Sequence, residues 1–159
     1  MKKLIATLFI AFFVFSLSLS TQAYSSRLAA LDGEVAAFLN PGDRSALQAG
    51  EGNYGVIIAY YTAVSGEWWT GLVVYNSANY ANNITVGILG SSGYVSGAGA
   101  FALAPSQFKS DLLANFITTG QVPSIGSIVV LGTGPFLVDR YLGNLDGGFG
   151  EVQLEAEAY

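Results

Sequence analysis

The residue types that carry most protein catalysis are scarce in this chain of 159 residues. It contains no His and no Cys, which excludes Ser-His-Asp and Cys-His catalysis within the chain and zinc sites built on imidazole or thiolate. Ser106–Lys109 matches the S-x-x-K pattern of serine acylases, but the companion motifs are missing and Pro105 explains the segment as the start of a helix. We therefore expect no catalytic residue and no cofactor.

Acidic side chains suggest two further kinds of site. Glu67, Asp139 and Asp146 are candidates for the two carboxylates that a glycoside hydrolase holds across a cleft, although nothing in the sequence indicates that any two of them converge. Asn144, Asp146 and Glu151 place oxygen ligands around glycines, a weak match to a calcium loop that fits no EF-hand. We expect solvated loop acids and a plain turn at these positions.

Aromatic residues are the most suggestive set for binding. The set comprises Tyr60, Tyr61, Trp68, Trp69, Tyr75, Tyr80 and Tyr94. Adjacent Trp68 and Trp69 on one strand must point to opposite faces, so at most one enters the core and the other is expected to be exposed. An exposed Trp with Tyr80 or Tyr94 could stack on a sugar ring or fill a partner's pocket. The alternative interpretation is that the rings fill the core and cover the sheet edge.

The N-terminus has the pattern of a secretory signal. Lys2 and Lys3 precede an apolar run over residues 4–17, and small and polar residues follow up to Ala23. The run is shorter than the ~20 apolar residues of a spanning helix. We expect cleavage after Ala23, rather than a retained membrane anchor, and export of the mature chain to the periplasm, the cell surface or the medium.

Charge and cysteine content limit the partners of the mature chain. Without Lys2 and Lys3, four of the six basic residues remain against eleven acidic ones, a net charge of −7. This charge repels phosphate backbones and anionic membranes, so neither nucleic acid nor membrane is expected as a partner. Because there is no Cys, no disulfide can form, and the hydrophobic core alone must hold the exported fold.

The strand pattern predicts an all-β fold, an antiparallel β-sandwich of about seven strands. The predicted strands cover residues 56–64, 68–76, 84–89, 94–103, 126–131, 136–142 and 151–159. Residues 106–117 carry apolar residues at helical spacing and predict a short helix or helical crossover. The last strand alternates apolar and acidic residues, which is typical of an edge strand kept soluble by its Glu side chains.

The predicted domain organisation has three parts: a signal peptide over residues 1–23, a helix and loop over 24–53, and the sandwich over 54–159. Apolar residues at helical spacing from Leu28 to Leu39 predict the helix. It either lies on the sandwich or forms a free arm that pairs with another subunit.

From about Tyr61 to Leu142 the order of features resembles a module of secreted and surface-anchored bacterial proteins, mostly uncharacterised. The matching pieces are the WWTG strand Trp68–Asn76, Ile84–Leu89 with its Ser-Gly hairpin, Phe101–Pro105 leading to Leu112 and Leu113, and Gly126–Val130 before Phe136 and Leu137. More distantly, the layout resembles the sandwich of sensory rhodopsin transducers. The resemblance implies a sandwich used for binding or assembly and brings no catalytic residues. Tyr75 departs from the module, which usually has a smaller apolar residue there.

Together these features predict an exported, non-catalytic β-sandwich that acts by association, either with itself or with a protein or glycan partner at the cell surface. A carbohydrate-binding module using exposed aromatic residues is the first alternative. A small hydrolase with paired carboxylates ranks last.

Overall fold

Two antiparallel sheets pack face to face in the computed structural model, which describes residues 21–39, 53–64, 67–144 and 146–159. This arrangement confirms the predicted β-sandwich. The strands are β1 (Tyr54–Thr62), β2 (Trp68–Asn76), β3 (Asn82–Leu89), β4 (Val95–Leu103), β5 (Phe108–Leu112), β6 (Thr119–Gly120), β7 (Ile125–Gly132), β8 (Phe136–Asn144), β9 (Phe149–Glu155) and β10 (Glu157–Ala158). Sheet A has the order β10-β1-β7-β3-β4-β6, and sheet B has the order β5-β2-β8-β9.

All seven predicted strands are present, and the last of them is divided between the two sheets. β9 pairs with β8 in sheet B, and after the buried Ala156 the chain continues as β10, which pairs with β1 in sheet A. The edge position predicted for this segment is confirmed, because β9 and β10 are each the outermost strand of their sheet.

The predicted helical segment 106–117 is helical only in its last part. Phe108–Leu112 is strand β5, which pairs with β2, and the helical part is a 3-10 turn over Leu113–Phe116. Phe108 and Leu112 are four residues apart, and positions four apart share one side of a strand as well as one side of a helix. The spacing that predicts a helix here is therefore equally compatible with a strand.

A helix, α1, covers residues 21–38 and packs on the outer face of sheet A, as the helical spacing predicts. Its buried side chains are Leu28, Leu31 and Val35, followed by Leu39 just after the helix. Gly87 makes room for Val35, since a Cβ there would lie 2.6 Å from Val35 Cγ2. The hydroxyl of Tyr24 accepts a hydrogen bond from the backbone N–H of Ile57 (3.0 Å).

Residues 21–23 also belong to α1, so the helix begins before the predicted cleavage position. These three residues are exposed, and Tyr24 packs against the apolar cluster between α1 and sheet A. The rest of the predicted signal peptide, and residues 40–52 of the predicted loop, lie outside the described residues. Within the described ranges, no helix is long and apolar enough to span a membrane.

The Asn that ends the Trp-Trp strand ties the strand to its surroundings. Asn76 is fully buried, and its Nδ2 donates to the carbonyls of Tyr80 (2.8 Å), Leu103 (3.1 Å) and Ala104 (3.0 Å). Its Oδ1 accepts from the N–H of Ala78 (3.0 Å). One side chain thus satisfies four backbone groups and fixes the loop after β2 against the end of β4.

Candidate binding face

Sheet B has an outer face that remains open, whereas α1 covers the outer face of sheet A. Phe108, Leu112 and Phe149 on the outer face of sheet B are 62%, 50% and 64% exposed. Directly paired residues in an antiparallel sheet point to the same side, so the strand register identifies the members of this face. They are Phe108, Ser110 and Leu112 from β5, Trp69, Gly71, Val73 and Tyr75 from β2, Leu137, Asp139, Tyr141 and Gly143 from β8, and Phe149, Glu151, Gln153 and Glu155 from β9.

Trp69 occupies a place on this face that two glycines leave open. Gly143 lies directly opposite Trp69 in the β2–β8 register, and the indole fills the space that a side chain at Gly143 would need. At Gly71 a Cβ would meet the indole at 3.5 Å, an ordinary contact distance. The indole therefore lies across the strands and contributes a flat apolar surface.

A groove of about 250 Å³ opens beside the Trp69 indole. It is lined by Trp69, Gly71, Leu72, Ser110, Asp111, Leu112 and Tyr141. Asn115 Nδ2 donates to Asp111 Oδ1 (2.6 Å) and so does the N–H of Leu112 (2.8 Å), and these bonds lower the pKa of the Asp111 carboxyl. Because Asp111 pairs with the buried Leu72, its side chain points to the inner side of the sheet. The groove therefore combines aromatic rings with the hydroxyl of Ser110.

A pair of rings continues the apolar surface toward β9. The ring centroids of Tyr141 and Phe149 are 5.5 Å apart with a tilt of 30°. The Tyr141 hydroxyl donates to Glu151 Oε1 (3.2 Å), and desolvation, followed by the charges of Glu151 and Asp139, raises the pKa of Tyr141. Asp139 Oδ1 is buried and has no hydrogen-bond partner among the described residues.

The two tryptophans point to opposite faces of sheet B, as predicted. Trp68 lies at the end of the inward-facing row and is 43% exposed. It lines a second open groove of about 410 Å³, together with Tyr60, Glu67 and Ile125.

The predicted tyrosines are not brought together with either tryptophan. Tyr80 lies in the loop after β2, beyond the end of the strand opposite to Trp68, and packs against Gly134. Tyr94 is 73% exposed in the turn between β3 and β4, on sheet A. A binding site made from Trp69 with Tyr80 or Tyr94 is therefore not formed, and Tyr141 and Phe149 are the rings next to Trp69.

A bulge in β1 determines which of the adjacent Tyr60 and Tyr61 faces the core. The register shifts between Ile58 and Tyr61, so that Ala59 and Tyr60 lie opposite Ser127. Tyr60 is 50% exposed, whereas Tyr61 is fully buried in the core. The Tyr61 hydroxyl has no partner among the described residues, and burial raises the pKa of Tyr61 to about 12.

The candidate calcium residues lie in and after the turn between β8 and β9. Asn144 Oδ1 accepts from the N–H of Gly148 (2.6 Å) and so closes the turn itself. Asp146 is exposed in that turn, and Glu151 accepts from Tyr141 on the outer face. Among the described residues, no three His, Cys, Asp or Glu side chains are grouped as a metal site would need.

The remaining candidates for catalysis are dispersed. Glu67 lies in the turn before β2, and Asp139 lies in the middle of β8. Ser106 is exposed in the turn before β5, with a positive φ of 59°. Lys109 places its Nζ 4.6 Å from the centroid of the Phe101 ring and 4.7 Å from that of Phe116, so its ammonium group is held by rings.

Phe108, Tyr141 and Phe149 lie on the outer face of sheet B but are not among the aromatic residues that the sequence pattern selects for binding. The available signal is the alternation from Phe149 to Glu155, which extends the predicted strand by two residues and places an aromatic ring on the acidic side. Phe108 falls in the segment predicted as a helix, and its exposure follows only from its position on the edge strand β5.

Comparison with known proteins finds only distant structural similarity. No protein-family model and no curated protein matches the chain. Among solved structures, the chain is similar to the Anabaena sensory rhodopsin transducer, with a TM-score of 0.45 and 13% identity over 57% of this chain and 97% of the transducer. It is also similar to Thermotoga maritima 1070, with a TM-score of 0.46 and 8% identity over 69% of this chain and 96% of that protein. The distant resemblance to the transducer sandwich is thus found at the level of the fold.

Proposed function

We propose that the chain is an exported, non-catalytic binding domain that associates with its partner through the outer face of sheet B. The observation that supports this most strongly is the difference between the two sheets. Sheet A is covered by a helix of the same chain, whereas sheet B leaves Phe108, Leu112 and Phe149 at least half exposed. Exposed apolar patches with polar surroundings on soluble proteins mark interaction sites.

The charge of this face favours a different molecule as partner rather than a second copy. Asp139, Glu151 and Glu155 lie on the face, and none of the described Lys and Arg side chains does: Lys109 and Arg140 are on the opposite side of their strands, and Arg27 is on the helix. Two such faces brought together would set carboxylates against carboxylates, which opposes association.

The position at which packing begins supports export. Residues 21–23 are exposed, and Tyr24, the first residue after the predicted cleavage position, accepts a hydrogen bond from the N–H of Ile57. Cleavage after Ala23 would therefore keep Tyr24 and the buried residues Leu28, Leu31 and Val35 in the mature chain. The lack of His and Cys supports a role in binding rather than catalysis.

Carbohydrate binding is the second candidate, because of the groove beside Trp69. An indole, the ring of Tyr141 and the hydroxyl of Ser110 line one opening. Sugars bind to such combinations by stacking on rings and by hydrogen bonds to oxygen atoms. On this candidate, Ser110→Ala would weaken sugar binding while leaving peptide ligands on the rest of the face unaffected.

The experiment compares two variants on a peptide library and a glycan array. Phe108→Ser with Phe149→Ser removes both exposed rings from the face, and Tyr94→Ser removes an exposed ring from sheet A as a matched control. We expect ligands of the unchanged protein to bind the double variant roughly ten-fold more weakly and the control equally well. Ligands that bind all three proteins equally would reject the outer face of sheet B as the site.

A further inference from the structure

Strand β9, one of the two edge strands of sheet B, is unusually open. β9 pairs with β8 on one side only and is the last strand of the sheet. All of its residues except Leu154 are exposed, including Val152, which points to the inner side of the sheet and is still 39% exposed. Both surfaces of this strand, as well as its edge, are therefore accessible.

The hydrogen-bond pattern shows which backbone groups point away from the sheet. The N–H of Asn144 donates to Gly148 O (3.0 Å), and the N–H of Ala156 donates to Phe136 O (3.1 Å). In an antiparallel pair, residues that exchange hydrogen bonds alternate with residues that do not. Gly150, Val152 and Leu154 therefore bond to β8, and the remaining β9 residues direct their backbone groups to the open edge. These are Phe149, Glu151, Gln153 and Glu155.

We propose that β9 accepts an extended, basic polypeptide segment as an additional strand of sheet B; this inference rests on the proposed function and names its partner. Added strands of this kind bind through backbone hydrogen bonds and are selected by alternate side chains. Residues of the segment opposite Glu151 and Glu155 lie on the outer face, four positions apart. Lys or Arg at these positions meets a carboxylate, and an Arg opposite Phe149 can stack on the ring.

The inner side of β9 favours apolar residues at the positions of the added segment that alternate with its basic residues. Side chains of an added strand that alternate with the basic ones point to the side of Val152. A valine or a similar apolar residue there would cover the exposed part of Val152. The expected ligand is therefore a strand of alternating basic and apolar residues, a more specific pattern than positive charge alone.

The same carboxylates oppose pairing of β9 with a second copy of itself. Two β9 edges side by side would bring Glu151 and Glu155 of one chain next to those of the other, and like charges in opposing positions are unfavourable. Charged side chains on edge strands prevent such aggregation in many sheets. Here the carboxylates of Glu151 and Glu155 oppose an acidic strand and favour a basic segment at the edge of β9.

The test uses a blocked seven-residue peptide in which lysine or arginine alternates with valine, added to the protein while amide exchange is followed by NMR. We expect the amides of Glu151 and Gln153 to exchange roughly ten-fold more slowly at saturation, because they gain hydrogen bonds. The amides of Val152 and Leu154 already bond to β8, so their exchange should change less. A peptide of the same composition without the alternation is the control ligand and should bind more weakly.

Two variants separate the role of charge from that of the edge. Glu151→Gln with Glu155→Gln should weaken peptide binding about five-fold, whereas Glu67→Gln with Glu157→Gln, which changes the charge equally away from the face, should leave it unchanged. Gln153→Pro removes an N–H that β8 does not use and should reduce binding by roughly ten-fold or more.

The outcomes distinguish this inference from the proposed function. Equal exchange slowing across β9, or binding that is unaffected by Gln153→Pro and by the charge variants, would overturn the added strand. If ligands from the library still depended on Phe108 and Phe149, the outer face of sheet B would remain the proposed binding site even though strand addition at β9 would be rejected. If no ligand depended on those rings and the peptide did not bind, both proposals would fail.

Discussion

Replacing Gly143 by Ala tests how the Trp69 indole is seated, and with it the shape of the binding face. The indole fills the space next to Gly143 Cα, so a Cβ at this position overlaps the ring. Either the ring leaves its position or β2 and β8 separate locally. Gly71→Ala is the matched control, because its Cβ would lie 3.5 Å from the same ring and 3.7 Å from Asp111 O, both ordinary contacts.

The expected magnitude combines two effects of opposite sign. Overfilling a packed site costs about 1–3 kcal/mol. Replacing Gly by Ala in a compatible backbone conformation gains about 0.4–1 kcal/mol, because the unfolded chain has fewer conformations. Gly143→Ala should therefore lower the free energy of unfolding by about 1–2 kcal/mol. Gly71→Ala should leave it unchanged or raise it by up to about 1 kcal/mol.

Urea unfolding measures this difference, and Trp fluorescence shows its cause. A Trp68→Phe background leaves Trp69 as the only indole, so its emission reports the environment of one ring. We expect a lower urea midpoint and a red-shifted native emission for Gly143→Ala but not for Gly71→Ala. Equal midpoints and equal emission for the two alanine variants would refute the assigned position of the indole.

Three further predictions concern the scaffold. Asn76→Ala removes the side-chain partner of three carbonyls and one N–H, although the Ala104 carbonyl still accepts from the N–H of Gln107 (3.1 Å), and it should lower the free energy of unfolding by about 2–3 kcal/mol, measured in urea. Burial raises the pKa of Tyr61 to about 12, so above pH ~10 the unfolded chain loses its phenol proton before the folded chain does. The free energy of unfolding should therefore fall by up to about 1.4 kcal/mol per pH unit as the pH rises above ~10. Tyr61→Phe should remove that contribution, shown by urea midpoints between about pH 8 and 11.5; an identical fall in the variant would disprove it. N-terminal sequencing of the exported chain should begin at Tyr24, and an intact N-terminus would rule out cleavage after Ala23.

Local patterns were sufficient to predict α1 and every strand except β5 and β6. Alternation of side chains with period two identifies the inward row of β2, and the same rule separates Trp68 from Trp69. The helix was predictable because its three buried apolar residues, with Leu39 just after it, recur at helical spacing and meet a sheet face that is equally apolar.

The composition of the binding face was not predictable, because it depends on which distant strands pair and in what register. Trp69 meets Gly143 and lies near Tyr141 only because β2 pairs with β8, whose residues are about 70 positions away. The bulge in β1 that turns Tyr61 inward is a second example, because nothing in the sequence shows which of the adjacent Tyr60 and Tyr61 faces the core. Exposure of Phe149 likewise follows from the position of β9 at the edge of sheet B.

The edge of β9 is held in place before any partner arrives. At its start, Asn144 closes the turn through the N–H of Gly148, and at its end the chain crosses into sheet A, where Glu157 pairs with Gly55. Beyond that, the half-buried Tyr159 side chain is hydrogen-bonded to Asp32 of α1, and burial together with that carboxylate raises the pKa of Tyr159. A strand fixed at both ends needs little ordering when a ligand binds, so more of the energy of the new hydrogen bonds is available for affinity. If β9 accepts an added strand, the contact between α1 and the C-terminus should favour binding by keeping β9 extended, although it is distant from the outer face of sheet B.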